Sequence, residues 1–337
     1  MILWISAVWD AREGGTGRYN GCLPGLCAGL FMALERPSKS DLAEPAVPIS
    51  VQTPASALRQ PIKLCTDIAT DLWAGRELAW RMFLRNIRAL YRQTFFGLFL
   101  AFLPPLANTA VWVILRSSGA VNLAIDDKLP AGVSPDQFSY PLYVVTGMVI
   151  WQGFAEAFQA PIQAVQANRN LLGKLKFPRE SILLVKFLEV LFNLGMRAVV
   201  LVGLFLLLGF TPFSPAMLVS PLMIGLLLVL GFAIGLLLMP VAMLYNDVGK
   251  IIALALPVWM ILTPIIYLPP KNWVNMPLNF LNPASPLLAV ARDLLVFGES
   301  QYWSNVWPYA VLAFPLLLLG MVVYRLSIPI LVERIST

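Results

Sequence analysis

Six long apolar runs divide most of this chain, at about residues 94–115, 139–163, 181–209, 217–244, 251–268 and 306–324. The apolar residues are continuous rather than alternating, which predicts helices and not barrel strands. Most runs reach the roughly 20 residues that an α-helix needs to cross a bilayer. The chain is therefore expected to be an all-α integral membrane protein with six transmembrane helices.

Local pattern adds detail. Residues 61–93 predict an amphipathic interfacial helix. Trp80, Leu84, Ile87 and Tyr91 recur at helical spacing, and Arg81, Arg85, Arg88 and Arg92 form a second stripe. Such a helix suits an anionic inner leaflet, with its aromatic side in lipid. Pro104-Pro105 is expected to kink the first span. The second span carries Glu156, which is costly in lipid unless it faces protein or water. In the third, Lys186, Glu189, Asn193 and Arg197 are spaced three, four and four, so they share one face. An ion-bearing face inside a span must meet the bundle interior or a wet cavity. A structural ion pair and a pathway lining both fit, and Arg197 is expected to partner Glu189. Gly231 and Gly235 in the fourth span predict close helix packing. The fifth contains Pro257 and Thr263-Pro264 and is not expected to be straight. Residues 269–307 are too apolar for a free loop, and Pro283 and Pro286 divide them into two short pieces. They predict re-entrant helices between spans five and six. Residues 1–60, broken by Pro37, Pro45, Pro48 and Pro54, read as a poorly ordered cytoplasmic tail or an over-extended start.

Composition agrees. Of 337 residues 58% are hydrophobic and 12% charged, with mean hydropathy +0.75, against about 25% charged in a soluble domain. From residue 59 onward, the loops and flanks on the side bearing both termini hold fourteen Lys and Arg, against four on the other side. The positive-inside rule then places both termini in the cytoplasm. The net charge of +6 clusters beside apolar runs, so no nucleic-acid partner is expected. There is no histidine, which excludes HExxH zinc sites and Ser-His-Asp triads. Cys22, Cys27 and Cys65 precede the first span without metal spacing and read as reduced thiols, so no metal site is expected. Gly14-Gly15-Thr16-Gly17 lacks a following Gly-Lys-Ser/Thr and is not a phosphate loop.

Five stretches stand in a characteristic order: the Arg-rich amphipathic helix, NRNLLGKLKFPRE at 168–180, YNDVGK at 245–250, LTPIIYLP at 262–269 and LNPASPLLAVARDLL at 281–295. Together they resemble the membrane subunit of ABC-2-type exporters, in the branch that moves polysaccharides such as O-antigen or teichoic acid precursors. The resemblance covers roughly residues 70–335, and the transmembrane domain is placed at 94–335. It implies a permease in the bacterial inner membrane, assembled as a homodimer with two copies of a separate ABC ATPase. This chain would be no enzyme and carry no cofactor; ATP-Mg would bind the partner, since no GxxxxGK[ST] is present. The substrate implied is a lipid-linked glycan.

In that family, the stretch 168–180 would hold the helix that couples to the ATPase. Leu171, Leu172, Leu175 and Phe177 would fill an apolar groove, with Pro178 ending the pattern, while Arg169, Lys174, Lys176 and Arg179 meet acids at its rim. Asn246, Asp247 and Gly249 would form a polar turn on the inner side. Channel-lining candidates are Glu156, Lys186, Glu189, Asn193, Arg197, Trp151, Trp259 and Tyr267. Asn282, Arg292 and Asp293 match the family pattern and read as caps and an internal pair. Other readings are an ABC-2 exporter of a lipid or drug, and a membrane-embedded acyl- or glycosyltransferase.

Overall fold

The computed structural model describes residues 61–92, 97–119, 139–168, 179–209, 215–269 and 282–336. Residues 1–60, 93–96, 120–138, 169–178, 210–214, 270–281 and 337 lie outside them. Among the described residues every regular element is helical. In order they are α1 (Pro61–Arg92), α2 (Gly97–Ser117), α3 (Tyr140–Ala167), α4 (Glu180–Leu207), a 3-10 turn (Pro215–Val219), α5 (Ser220–Leu244), α6 (Asn246–Leu262), α7 (Ala284–Val296) and α8 (Trp303–Ser336). Three stretches are long and apolar enough to cross a membrane: Glu180–Leu207, Pro215–Leu244 and Trp303–Pro329. Their outward faces carry bare aliphatic side chains, among them Leu207 at 85% exposure and Leu218 at 84%. A surface of that kind suits lipid rather than water.

The core is centred on α3 and α5. α5 packs against α3, α7 and α8, and α3 also packs against α4. The expected glycine pair makes the tightest seam. A Cβ at Gly235 would lie 2.0 Å from the carbonyl oxygen of Phe158, and one at Gly231 2.9 Å from the Phe154 ring. Backbone meets backbone here, so no larger residue fits at Gly235. On the other side of α5, a Cβ at Gly320 of α8 would lie 2.8 Å from Leu236. An apolar cleft of about 740 Å³ opens between α4 and α5, lined by Leu194, Ala198, Val202, Ile224 and Leu228 among others.

α1 is amphipathic as expected, but its buried stripe runs differently. Leu64, Ile68, Ala79 and Phe83 are buried. Phe83 meets Phe192 of α4 edge-on at 6.0 Å. Leu84 and Ile87 flank that contact, whereas Trp73 and Trp80 are exposed at 70% and 51%. The arginine stripe faces outward. The helix thus has three faces: one on the bundle, one aromatic and one basic.

Four boundaries differ from the sequence reading. Asn246, Asp247 and Gly249 are not a turn; they open α6. Extended Tyr245 (φ −124°, ψ 112°) makes the whole break, and Asp247 in the first turn complements the positive helix end. α6 then stops at Leu262, because Thr263 is extended before Pro264. The fifth apolar run is therefore a 17-residue helix followed by a buried turn. In the re-entrant region, Pro286 does not divide the chain. It sits in the first turn of α7, where a missing N–H costs nothing. The first of the two expected pieces lies outside the described residues. Finally, the sixth apolar run is expected to end at about residue 324, whereas α8 continues to Ser336.

Candidate functional site

α4 carries the polar face that its spacing predicts, and the structure divides it between two neighbours. Toward α1, Glu189 is held twice: the Asn86 amide donates to it at 2.8 Å and the Lys186 ammonium at 2.7 Å. Toward α3, Arg197 forms an ion pair with Glu156, and the Asn193 amide donates to the same carboxylate at 3.4 Å. Arg197 is 8% exposed at its side chain and Glu156 31%. The partner of Arg197 is thus Glu156 and not Glu189. Two positions eight apart on one helix are separated by about 12 Å along its axis, too far for contact. A neighbouring helix supplies the acid instead. The Lys186–Glu189 pair lies within α4, whereas the bonds of Asn86 to Glu189 and of Asn193 and Arg197 to Glu156 run between helices, so the face ties α1, α4 and α3 together.

A second network sits where α4 begins. Arg325 of α8 bonds Asp71 of α1 at 2.7 Å and Glu180 of α4 at 3.4 Å. The Tyr324 hydroxyl donates to the Arg179 carbonyl at 2.9 Å. Three helices therefore converge on the last two residues of the basic stretch, Arg179 and Glu180. No periodicity announces this triad, because its members come from three separate elements. The nearest sequence signal is Glu180 itself, an acid at the end of a basic run.

The third network surrounds α7. Arg292 is fully buried. It donates to Asp293 at 3.1 Å and to the Pro264 and Ile265 carbonyls, and its guanidinium lies 3.8 Å over the Tyr143 ring. Asn282 accepts from the Trp259 indole at 2.9 Å and from the Ala284 backbone amide at 3.3 Å, and donates to Thr263 at 3.0 Å. The expected cap and internal pair are both present. Ser300 extends the network by donating to Asp293 at 3.3 Å.

The aromatic candidates gather nearby. Trp259 sits edge-on to Trp151, Phe154 and Phe158, with centroids 5.3–6.1 Å apart. Trp151 is buried within the chain and Trp259 half-buried. Tyr267 is also half-buried, its hydroxyl donating to the Leu262 carbonyl at 3.3 Å. Of the predicted coupling residues only Arg179 falls among the described ones; Arg169, Leu171, Leu172, Lys174, Leu175, Lys176, Phe177 and Pro178 lie outside them. Asp247 and Lys250 form an exposed pair at 3.3 Å. Among the described residues no group of acids, cysteines or histidines could hold a metal ion.

No family model matches the chain. Two curated proteins do, and both carry the same description. The O-antigen export system permease protein RfbA of Myxococcus xanthus is 22% identical over 200 residues, which is 59% of this chain and 72% of that protein. The protein of the same name from Klebsiella pneumoniae is 26% identical over 170 residues, 49% of this chain and 64% of that protein. The chain is similar to O-antigen export permeases. The family read from the order of the five stretches is the one these relatives' names point to. The aligned part spans just under two thirds of the Klebsiella pneumoniae protein.

Proposed function

We propose that this chain is the membrane-spanning permease subunit of an exporter that moves a lipid-linked polysaccharide across the inner membrane, powered by a separate ATPase. The similarity to two O-antigen export permeases carries this reading. In this reading α2, α3, α4, α5, α6 and α8 are the six spans, both termini are cytoplasmic, and α7 is the re-entrant helix on the outer side. Two copies form the channel. ATP binding in the partner shifts the stretch 168–180, and the movement enters the bundle at Arg179 and Glu180. The bond from Tyr324 to the Arg179 carbonyl and the Arg325–Glu180 ion pair support that route, and Arg325 also pairs with Asp71, so one push has a hold on α4, α8 and, through Arg325, α1.

Two experiments test the proposal. Deleting the gene should remove long-chain polysaccharide from the cell surface and leave its lipid-linked precursor inside; undiminished surface polysaccharide would refute it. The chain should also co-purify with an ABC ATPase, and Lys174→Glu with Lys176→Glu should weaken that association without affecting membrane insertion. Equal recovery of the ATPase with this variant would remove the coupling role from the basic stretch.

A further inference from the structure

α3 turns one narrow face outward, and that face is made of amides. Between Leu142 and Val165, the only residues not buried are Gln152, Ala155, Glu156, Gln159 and Gln163. Gln152, Glu156, Gln159 and Gln163, with exposed Gln166 beyond them, are spaced four, three, four and three. They form a single stripe on the helix. Val145 and Met148 continue the same stripe toward the other end, and both are only 1% exposed. The polar stripe is therefore open from the middle of α3 to its 167 end and closed by packing beyond Gln152.

Such a stripe cannot rest against lipid, because an amide without hydrogen-bond partners in hydrocarbon costs several kcal/mol. Nor does this chain satisfy it. The Gln152 side-chain oxygen is enclosed without a hydrogen-bond partner among the described residues. The Gln159 amide reaches only back to the Ala155 carbonyl of its own helix, at 3.3 Å. The charge balance narrows what could complete these bonds. Glu156 is the one ion on the stripe and is neutralised by Arg197, so the face is electrically neutral and has no hold on a charged ligand. Primary amides donate and accept at once, as sugar hydroxyls do. Successive rungs rise by about 4.5–6 Å along the helix, close to one sugar ring.

We infer that the Gln152–Gln159–Gln163 ladder is a water-filled track for a neutral, hydroxyl-rich glycan, held shut on the outer side by Val145 and Met148. This rests on the export reading above and adds to it the residues of the track and the uncharged character of the chain they take. The test uses the full chain with Cys22, Cys27 and Cys65 replaced by serine. Single cysteines replace Gln152, Gln159, Gln163, Val145 and, as a lipid-facing control, Leu254. The protein is reconstituted in vesicles that present the 168–180 side to an impermeant, charged thiol reagent. Cysteines at 152, 159 and 163 should react, and those at 145 and 254 should not. Maltohexaose should slow the reaction at 159 and 163 severalfold, and an oligogalacturonate of equal length should not. Unreactive cysteines at 152 and 159 would overturn the track. Reaction without protection by maltohexaose, or equal protection by the acidic sugar, would overturn its specificity for neutral glycans. Gene deletion judges the export reading independently: loss of surface polysaccharide with unreactive cysteines sinks the track alone. Persistent polysaccharide with protected cysteines supports the track and sinks the exporter.

Discussion

Arg292 and Arg325 each tie helices together, and they do it in opposite ways. Arg292 is sealed, with its side chain fully out of solvent, and bonds the acid next to it in sequence and two carbonyls of the turn after α6. Arg325 is 22% exposed and bonds two acids on two other helices, one of which, Asp71, is 40% exposed. A sealed pair is fixed, because separating it leaves a charge in a medium that cannot solvate it. The Arg325–Asp71 pair is wet: it contributes little stability, and water takes over each half when it opens, while Glu180, at 7% exposure, is the enclosed member of the network. The first arrangement holds a shape. The second can open at its Asp71 side at little cost, and it stands where α4 begins.

The contrast gives a ranking. Arg292→Leu should be the most damaging change, costing about 3–5 kcal/mol by stranding Asp293. Thermal unfolding of the detergent-solubilised protein would show it, and an unchanged midpoint would mean that the α7 network is not structural. Arg197→Leu should follow at about 2–3 kcal/mol, since Glu156 is enclosed less completely than Asp293. Adding Glu156→Leu should restore most of that loss; no recovery would show that the pair is not what ties α3 to α4. Asn282→Ala should cost about 2 kcal/mol by leaving the Trp259 N–H and Thr263 without their partner. Arg325→Gln should cost about 1–2 kcal/mol in stability, because Asp71 stays solvated and the glutamine amide can still donate to the enclosed Glu180, but should lower polysaccharide export strongly. A fall in stability as large as that of Arg292→Leu would erase the difference between the two arginines. Tyr324→Phe should be mildest, at about 1 kcal/mol for one hydrogen bond, read from the same melts.

What the sequence disclosed follows from what periodicity can carry. The shared face of Lys186, Glu189, Asn193 and Arg197 depends only on spacing within one helix, and it is present. The Gly231–Gly235 seam is legible for the same reason. The partner of Arg197 is not, because it depends on how α3 and α4 are rotated against each other. The buried stripe of α1 was obscured in the same way: Trp80 and Tyr91 signal an apolar face, but the close approach of α4 selects Ala79 and Phe83. Proline was misleading at residue 286, where a helix start and a helix break use the same residue. Asn282, Arg292 and Asp293 were readable only through their local bonds, Asn282 to Ala284 and Arg292 to Asp293; those to Trp259, Thr263, Pro264 and Ile265 join remote segments. The Arg325 triad was not, since it joins three elements remote in sequence.

The bond from Tyr324 to the Arg179 carbonyl has a mechanical corollary. It lands on a helix that runs unbroken from Trp303, 21 residues and about 32 Å away. Arg325, one residue on, grips Glu180, so the backbone and the side chain at that junction are clamped by adjacent positions of a single rod. Two adjacent clamps resist slippage and pivoting together. An axial displacement at that junction would be taken up by α8 directly, without a relay of side chains, with Pro308 and Pro315 as the points where the helix gives.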